Sequence, residues 1–332
     1  MMKKKTILII LKAIVSISLL SYIITNIDWK EVLSNLGKAN FALLFVVFFL
    51  YVLEQVELTY KWRVLISARG IKVSLFRLCI INSIGTFWGL FLPSSVGTDV
   101  VRGYYLVKNN SEKAISVSSI FVDRISSMFS LLLLGIVFIL LAGDMISKFN
   151  LSTYIIPFSI IITILFYLFQ REKTAHYLKD KLNLLKYKKV FDLLIKLHFS
   201  LLEYKKYPKA LVSSFVLSIL VQLTRVMIYY FVAMAYNISV PIIYFFIFVP
   251  VIMLVLMIPI SIGGLGVREG TFIAFFSLVG MSINEAVIIS FTTSLMVNFI
   301  NLLGGFSYLF YNSSYGFKRK EVSLKNPPGV RK

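Results

Sequence analysis

From Ile125 to Ala142 no charged residue interrupts the chain, and the apolar stretch this belongs to begins at Ile115. A run of that length is far longer than an ordinary strand. It is long enough for a helix through a bilayer, whose hydrocarbon core takes about 20 helical residues. Comparable runs cover residues 6–25, 41–58, 153–169, 210–236 and 284–311. In lipid every backbone N–H and C=O must be paired within the protein, so such segments span as helices. The expected fold class is therefore an all-α polytopic integral membrane protein. A chain that is 58% hydrophobic and 15% charged, with a mean hydropathy of +0.84, fits that class and not a soluble one.

The charges that remain are lopsided, with 35 Lys and Arg against 15 Asp and Glu. The imbalance lies mostly in the segments between apolar runs, as the positive-inside rule requires, and no aromatic-plus-basic pattern points to nucleic acid. Lys3 to Lys5 precede residues 6–25, which run too long for a signal peptide and lack a small-residue cleavage site, so they read as a first span. Residues 26–40 and 143–152 read as short loops of zero net charge, and Lys61, Arg63, Arg69 and Lys72 as an acid-free loop. Residues 171–208 hold ten Lys or Arg against four acids, with Leu182, Leu185, Phe191, Leu194 and Leu197 at helical spacing. They read as an amphipathic helix on the membrane surface. With both termini in the cytoplasm, cytoplasmic segments carry 23 Lys or Arg and the opposite side carries 3. The expected location is the cell membrane, as one transmembrane domain over residues 1–312 and a basic cytoplasmic tail over 313–332.

Two stretches, 73–108 and 241–280, do not read as ordinary spans. Each is an apolar half, a Pro-Gly break and a short second half. The breaks share a pattern: Pro93-Ser-Ser-Val-Gly97-Thr98-Asp99-Val-Val-Arg102 and Pro259-Ile-Ser-Ile-Gly263-Gly264-Leu-Gly-Val-Arg268-Glu269. Laid over each other without gaps, Pro93 meets Pro259, Ser95 meets Ser261, Gly97 meets Gly263 and Arg102 meets Arg268, always 166 residues apart. That repetition marks a duplicated unit of span, broken-helix hairpin and span, about 41–143 and 209–311. Three full spans separate the hairpins, so the units are expected to be inverted, with the hairpin tips meeting near the bilayer midplane. Paired broken helices in inverted repeats are the architecture of alternating-access transporters.

Each break also carries chemistry. Ser94, Ser95 and Thr98 suit the start of a helix after Pro93, and Ser261 one after Pro259. A helix N-terminus offers unpaired N–H groups and partial positive charge, so two such ends on a shared cavity make an anion site. Gly97, Gly263 and Gly264 permit close backbone approach, and Arg102 and Arg268 supply the fork best matched to phosphate. The candidate binding residues are thus Arg102, Arg268, Ser95, Gly97, Thr98, Asp99, Gly263, Gly264 and Glu269. The implied ligand is a membrane lipid with an anionic phosphate head group. The alternative is internal neutralisation, of Arg102 by Asp99 and of Arg268 by Glu269. Glu54, Glu57, Asp123, Arg124 and Arg225 form a second set, read as an intramembrane charge network linking Glu54 or Glu57 to Arg225 or Arg124. A coupling proton or a cationic head group is the other role open to those carboxylates. Asn298 and Asn301 read as interhelical hydrogen bonders.

Signals for catalysis are weak. There is no nucleophile–His pair, Walker loop or dinucleotide fingerprint, and the carboxylates Asp99 and Asp123 specify no reaction. Cys79 lies in an apolar run and His176 and His198 in the basic segment, without metal spacing, so neither a metal nor another cofactor is expected.

Three motifs together, Pro93 to Arg102, Val122-Asp123-Arg124 and Gly263-Gly264-Leu-Gly-Val-Arg268-Glu269-Gly270, resemble the lysylphosphatidylglycerol synthase transmembrane-domain family, also described as flippase-like. The likeness extends from about Thr6 to Tyr311. In the full-length enzymes of that family a soluble domain transfers lysine from aminoacyl-tRNA to phosphatidylglycerol, and the membrane domain is thought to move the product across the bilayer. The resemblance therefore implies a lipid translocator for an aminoacylated phospholipid or a polyprenyl phosphate. Its alternative is the membrane component of a lipid-modifying or glycolipid pathway. This chain stops at Lys332 with a basic tail, so synthase activity is not expected of it. A separate soluble transferase and a second copy of the chain are the candidate protein partners.

Overall fold

The computed structural model describes residues 27–92, 96–108, 113–143, 200–258, 264 and 266–325, together with the isolated positions 18, 21 and 25. The expected spans at 6–25 and 153–169, the loop at 144–152, most of the segment 171–208, and Pro93, Ser94, Ser95, Pro259, Ser261 and Gly263 lie outside the described residues. Those that are described are helical, with turns between, and contain no strand.

The first helix, α1 (Trp29–Leu36), falls where the charge pattern suggested only a loop. Its eight residues set Val32 and Leu36 on one side, and Val32 is buried with Ile27, Val287 and Ile288. Asn40 then caps α2 (Phe41–Ala68), its side-chain oxygen accepting from the Ala42 and Leu43 N–H groups at 3.1 and 3.3 Å. The expected end at residue 58 is ten residues early. The helix carries Lys61 and Arg63 and stops at Gly70, whose φ of 84° a residue with a Cβ rarely adopts. Helix α3 (Leu75–Gly89) starts at Ser74, which accepts from the Arg77 N–H at 3.4 Å. It is followed by α4 (Val96–Lys108) and α5 (Lys113–Ala142).

The second half repeats the order: α6 (Pro208–Ala235), α7 (Ile242–Met257), α8 (Val267–Phe276) and α9 (Ile283–Lys325). Ser282 and Glu285 open α9 reciprocally, Ser282 Oγ accepting from the Glu285 N–H at 3.2 Å and Glu285 Oε2 from the Ser282 N–H at 2.9 Å. The helix runs beyond the expected end at residue 311.

Four stretches are long and apolar enough to span: Phe41–Ala68, Ala114–Ala142, Pro208–Ala235 and Ile283–Leu309, each of 27 to 29 residues. At 1.5 Å per residue they reach about 40 Å, against a hydrocarbon core of about 30 Å. The pieces beside the breaks are shorter, with 15 and 13 residues in α3 and α4 and 16 and 10 in α7 and α8. None of the four, at about 15 to 24 Å, crosses that core alone. The order long, short, short, long thus occurs twice.

Helix α2 packs along α6, and α5 against α6 and α7. Helix α3 packs against α4 and α9, and α8 lies between α7 and α9. Gly304 brings α9 onto α3, where a Cβ would collide with the Ser83 carbonyl oxygen. Aromatic rings fill the second half, Phe272 stacked on Phe276 with centroids 4.2 Å apart and Phe248 edge-on to Phe276 at 5.3 Å. The outer faces are apolar: Phe45, Phe49, Val216, Leu220, Leu295 and Phe299 are all exposed, as a lipid solvent allows.

Candidate functional site

One cavity of about 380 Å³ is lined by Thr98 and Arg102 from α4 and by Gly264 and Arg268 at the start of α8. Helix α2 contributes Glu54, α5 contributes Asp123 and Arg124, and α6 contributes Arg225. Four arginines and two carboxylates therefore face a space enclosed by apolar helices.

Arg102 is held on three sides. Its Nη1 lies 3.4 Å from Asp99 Oδ1 and its Nη2 3.6 Å from Asp123 Oδ2. Its guanidinium stacks 4.3 Å from the centroid of the Trp62 ring, which is itself fixed by a 3.0 Å hydrogen bond donated from Nε1 to Ser119 Oγ. Gly85 makes the approach possible, since a Cβ there would sit 2.7 Å from Arg102 Cγ. The charges continue outward in alternation. Asp99 Oδ2 accepts from Arg124 Nε at 2.6 Å, and Asp123 Oδ1 lies 3.0 Å from Lys61 Nζ. Lys61 is fully buried and donates to Ser127 Oγ at 2.6 Å. It is a member of this cluster and not of the loop expected from the sequence.

Arg268 is held differently, and here the alternative reading, neutralisation by Glu269, fails. Glu269 turns back on its own helix, Oε2 accepting the Gly266 N–H at 2.8 Å, because Gly266 at φ 78° begins α8 without a side chain to cap it. Helix α8 therefore starts at Val267 with Gly266 as its cap, not at Ser261. Glu269 Oε1 accepts from Ser294 Oγ at 2.8 Å, and Ser294 Oγ in turn accepts from Arg268 Nη1 at 3.0 Å. Among the described residues no carboxylate lies within ion-pair distance of Arg268, and its buried Nε has no hydrogen-bond partner. The two arginines also differ in register: Arg268 follows the first residue of α8, whereas Arg102 lies in the second turn of α4.

The remaining charges sort as follows. Glu54 accepts from both Nε (2.8 Å) and Nη2 of Arg225, and Arg225 Nη1 donates to Gln222 Oε1 at 2.9 Å. Among the described residues Glu57 has no ion-pair partner; it accepts from Thr224 Oγ1 at 3.1 Å and stands outside the cavity lining. Arg124 serves Asp99 rather than either glutamate. Gly97 is buried against Leu92 and does not line the cavity.

Sequence reasoning missed several lining or supporting groups. Lys61 stands two turns along α2 from Glu54, hence on the same face, and that spacing was the available signal. Asn298 and Asn301 face the cavity without hydrogen bonds among the described residues, instead of bridging helices as expected. Gln55 and Asn82, paired at 2.9 Å, line it as well.

Long apolar helices around a polar, arginine-rich cavity, with two interrupted hairpins at its wall, define an integral membrane protein. The chain matches the family described as lysylphosphatidylglycerol synthase TM region over residues 9–305, and it belongs to that family. It is thus a membrane protein of lipid metabolism. Comparison with curated proteins and with solved structures returned no match.

Proposed function

We propose that the protein translocates a phosphate-bearing lipid, such as an aminoacylated phospholipid or a polyprenyl phosphate, across the cell membrane. The observation that carries the reading is that Arg102 and Arg268, equivalent positions of a motif repeated at 166 residues, line one cavity between the spanning helices. Intramembrane arginines are costly, and a cavity that gathers four of them suits a charge that must pass through lipid. Arginine offers phosphate two parallel N–H donors, and the Thr98 hydroxyl lines the same cavity. An inverted relation of the two halves, with both termini in the cytoplasm, would let one site face the two leaflets in turn. Ser95 and Gly263, beside the breaks, belong to the same proposed site.

The family description favours a second reading, in which the chain is the membrane component of a lipid-modifying pathway and works beside a soluble transferase. Vesicles containing the purified chain and a fluorescent phospholipid separate the two. Bleaching of inner-leaflet lipid by an impermeant reductant is expected with the parent protein. It should slow in Arg102→Gln and Arg268→Gln at unchanged melting temperature, and Lys at either site should restore it in part. Full activity in both Gln variants would refute the phosphate contacts. If Arg102→Gln loses folding and Asp99→Asn with Arg102→Gln regains both folding and activity, Arg102 serves only to neutralise Asp99.

A further inference from the structure

We infer that the head group taken by this cavity is net anionic and rich in uncharged hydroxyls, and that a cationic aminoacyl ester is disfavoured there. The inference rests on the translocator reading only in taking the ligand to be a lipid. Its basis is which lining groups are already engaged. The two carboxylates on the wall are held by cations of the protein, Glu54 by Arg225 and Asp123 by Lys61 and Arg102. Just behind the wall, Asp99 is held by Arg124 and Arg102, and Glu269 by the Gly266 N–H and Ser294. An ammonium entering the cavity would have to displace one of these partners and strand it in a poorly hydrated space.

The groups left free are of the opposite kind. Among the described residues Arg268 rests on a neutral hydroxyl alone, with its buried Nε unpartnered. Arg102, only 5% exposed, has Nε and Nη2 without a hydrogen bond, although Nη2 lies within ion-pair range of Asp123. Asn298 and Asn301, one turn apart on α9, bring unpaired amides to the same cavity. A carboxamide both donates and accepts, which matches a hydroxyl and offers an ammonium only its carbonyl. The fit is therefore to a phosphodiester on Arg268 with hydroxyls on the two asparagines.

Phosphatidylglycerol and lysylphosphatidylglycerol make the test, since they share phosphate and glycerol and differ by one aminoacyl ester that turns the head group cationic. Binding of each to the full-length protein in detergent is measured by native mass spectrometry against a phosphatidylethanolamine reference. Phosphatidylglycerol is expected to bind at least about tenfold tighter than its lysyl ester, because the ammonium finds no carboxylate without a partner already in place. Arg268→Gln should weaken phosphatidylglycerol binding at least about tenfold, and Arg268→Lys should keep much of it. Asn298→Ala with Asn301→Ala should weaken phosphatidylglycerol binding while retaining the preference for the anion. Equal or tighter binding of the lysyl ester overturns the inference, as does phosphatidylglycerol binding that survives Arg268→Gln in a protein of normal melting temperature. Binding in detergent needs no translocation. Discrimination without lipid movement in vesicles would thus remove the translocator reading and leave the head-group assignment standing.

Discussion

Lys61 and Asp123 allow the buried charge cluster to be tested with magnitudes. Asp123 lies 3.0 Å from Lys61 Nζ and 3.6 Å from Arg102 Nη2. At an effective dielectric constant of about 20 these separations correspond to gross attractions of about 5.5 and about 4.6 kcal/mol, nearly equal shares. Desolvation consumes much of each. Removing one partner of a buried pair costs about 3–5 kcal/mol, mostly for the charge left behind. Lys61→Met leaves Asp123 with Arg102, so its cost belongs at the lower end, about 3 kcal/mol. Asp123→Asn removes both attractions and leaves Lys61 and Arg102 facing each other, so its cost belongs at or above the upper end, about 5 kcal/mol.

The double change Lys61→Met with Asp123→Asn removes one charge of each sign and leaves Arg102 its contact with Asp99 at 3.4 Å. It should recover at least about 2 kcal/mol relative to Asp123→Asn. Reversible unfolding in mixed micelles, followed by circular dichroism, gives all three values and the coupling energy. A Lys61→Met variant as costly as Asp123→Asn, or a double change no better than the worse single one, would refute the shared-cation arrangement.

Gly304→Ala places a Cβ against the Ser83 carbonyl and should cost about 1–3 kcal/mol, whereas Gly135→Ala, with no heavy atom within 4 Å, should be neutral or slightly stabilising; melting of the two variants in one detergent checks the contrast. For topology, single cysteines in a Cys79→Ser background are labelled with an impermeant maleimide in intact cells. Position 34 should react and position 188 should not, and the reverse pattern would overturn the orientation.

Much of the architecture was legible because lipid leaves the backbone few options. Hydropathy located the four described spans, and the Pro-Gly interruptions fall between the paired short helices, α3 and α4, then α7 and α8. The motif arithmetic that paired Arg102 with Arg268 led to two residues that do share a cavity. What the sequence hid is equally physical. Lys61 follows an apolar run and reads as the first charge of a loop, because its reason for burial, Asp123, lies 62 residues further along the chain. Residues 29–36 have the composition of a loop, yet they form a helix because Val32 finds Val287 and Ile288 on α9. Glu269 sits next to Arg268 and looks like its counterion, but a glycine cap leaves a helix N-terminus in need of an acceptor, and the nearest carboxylate goes there.

That last contact separates the two halves chemically and can be tested. At the 166-residue offset that pairs Arg102 with Arg268, Asp99 falls on Leu265 and Asp123 on Ile289. The first half thus has two acids beside its arginine where the second has two aliphatic residues at the same offset. Ser294 and Glu269 offer a way to make the second half resemble the first. In Ser294→Asp with Glu269→Gln the total charge is unchanged. Glutamine serves the capping position as glutamate does, and the new aspartate stands where Ser294 Oγ now lies, 3.0 Å from Arg268 Nη1. Arg268 then gains a direct counterion. The variant should melt at or above the parent temperature, while phosphatidylglycerol binding should fall at least about tenfold as an entering phosphate competes with a carboxylate already in place. If binding persists undiminished in a protein whose Arg268 is so neutralised, the anion is being held elsewhere in the cavity, and Arg268 is not its anchor.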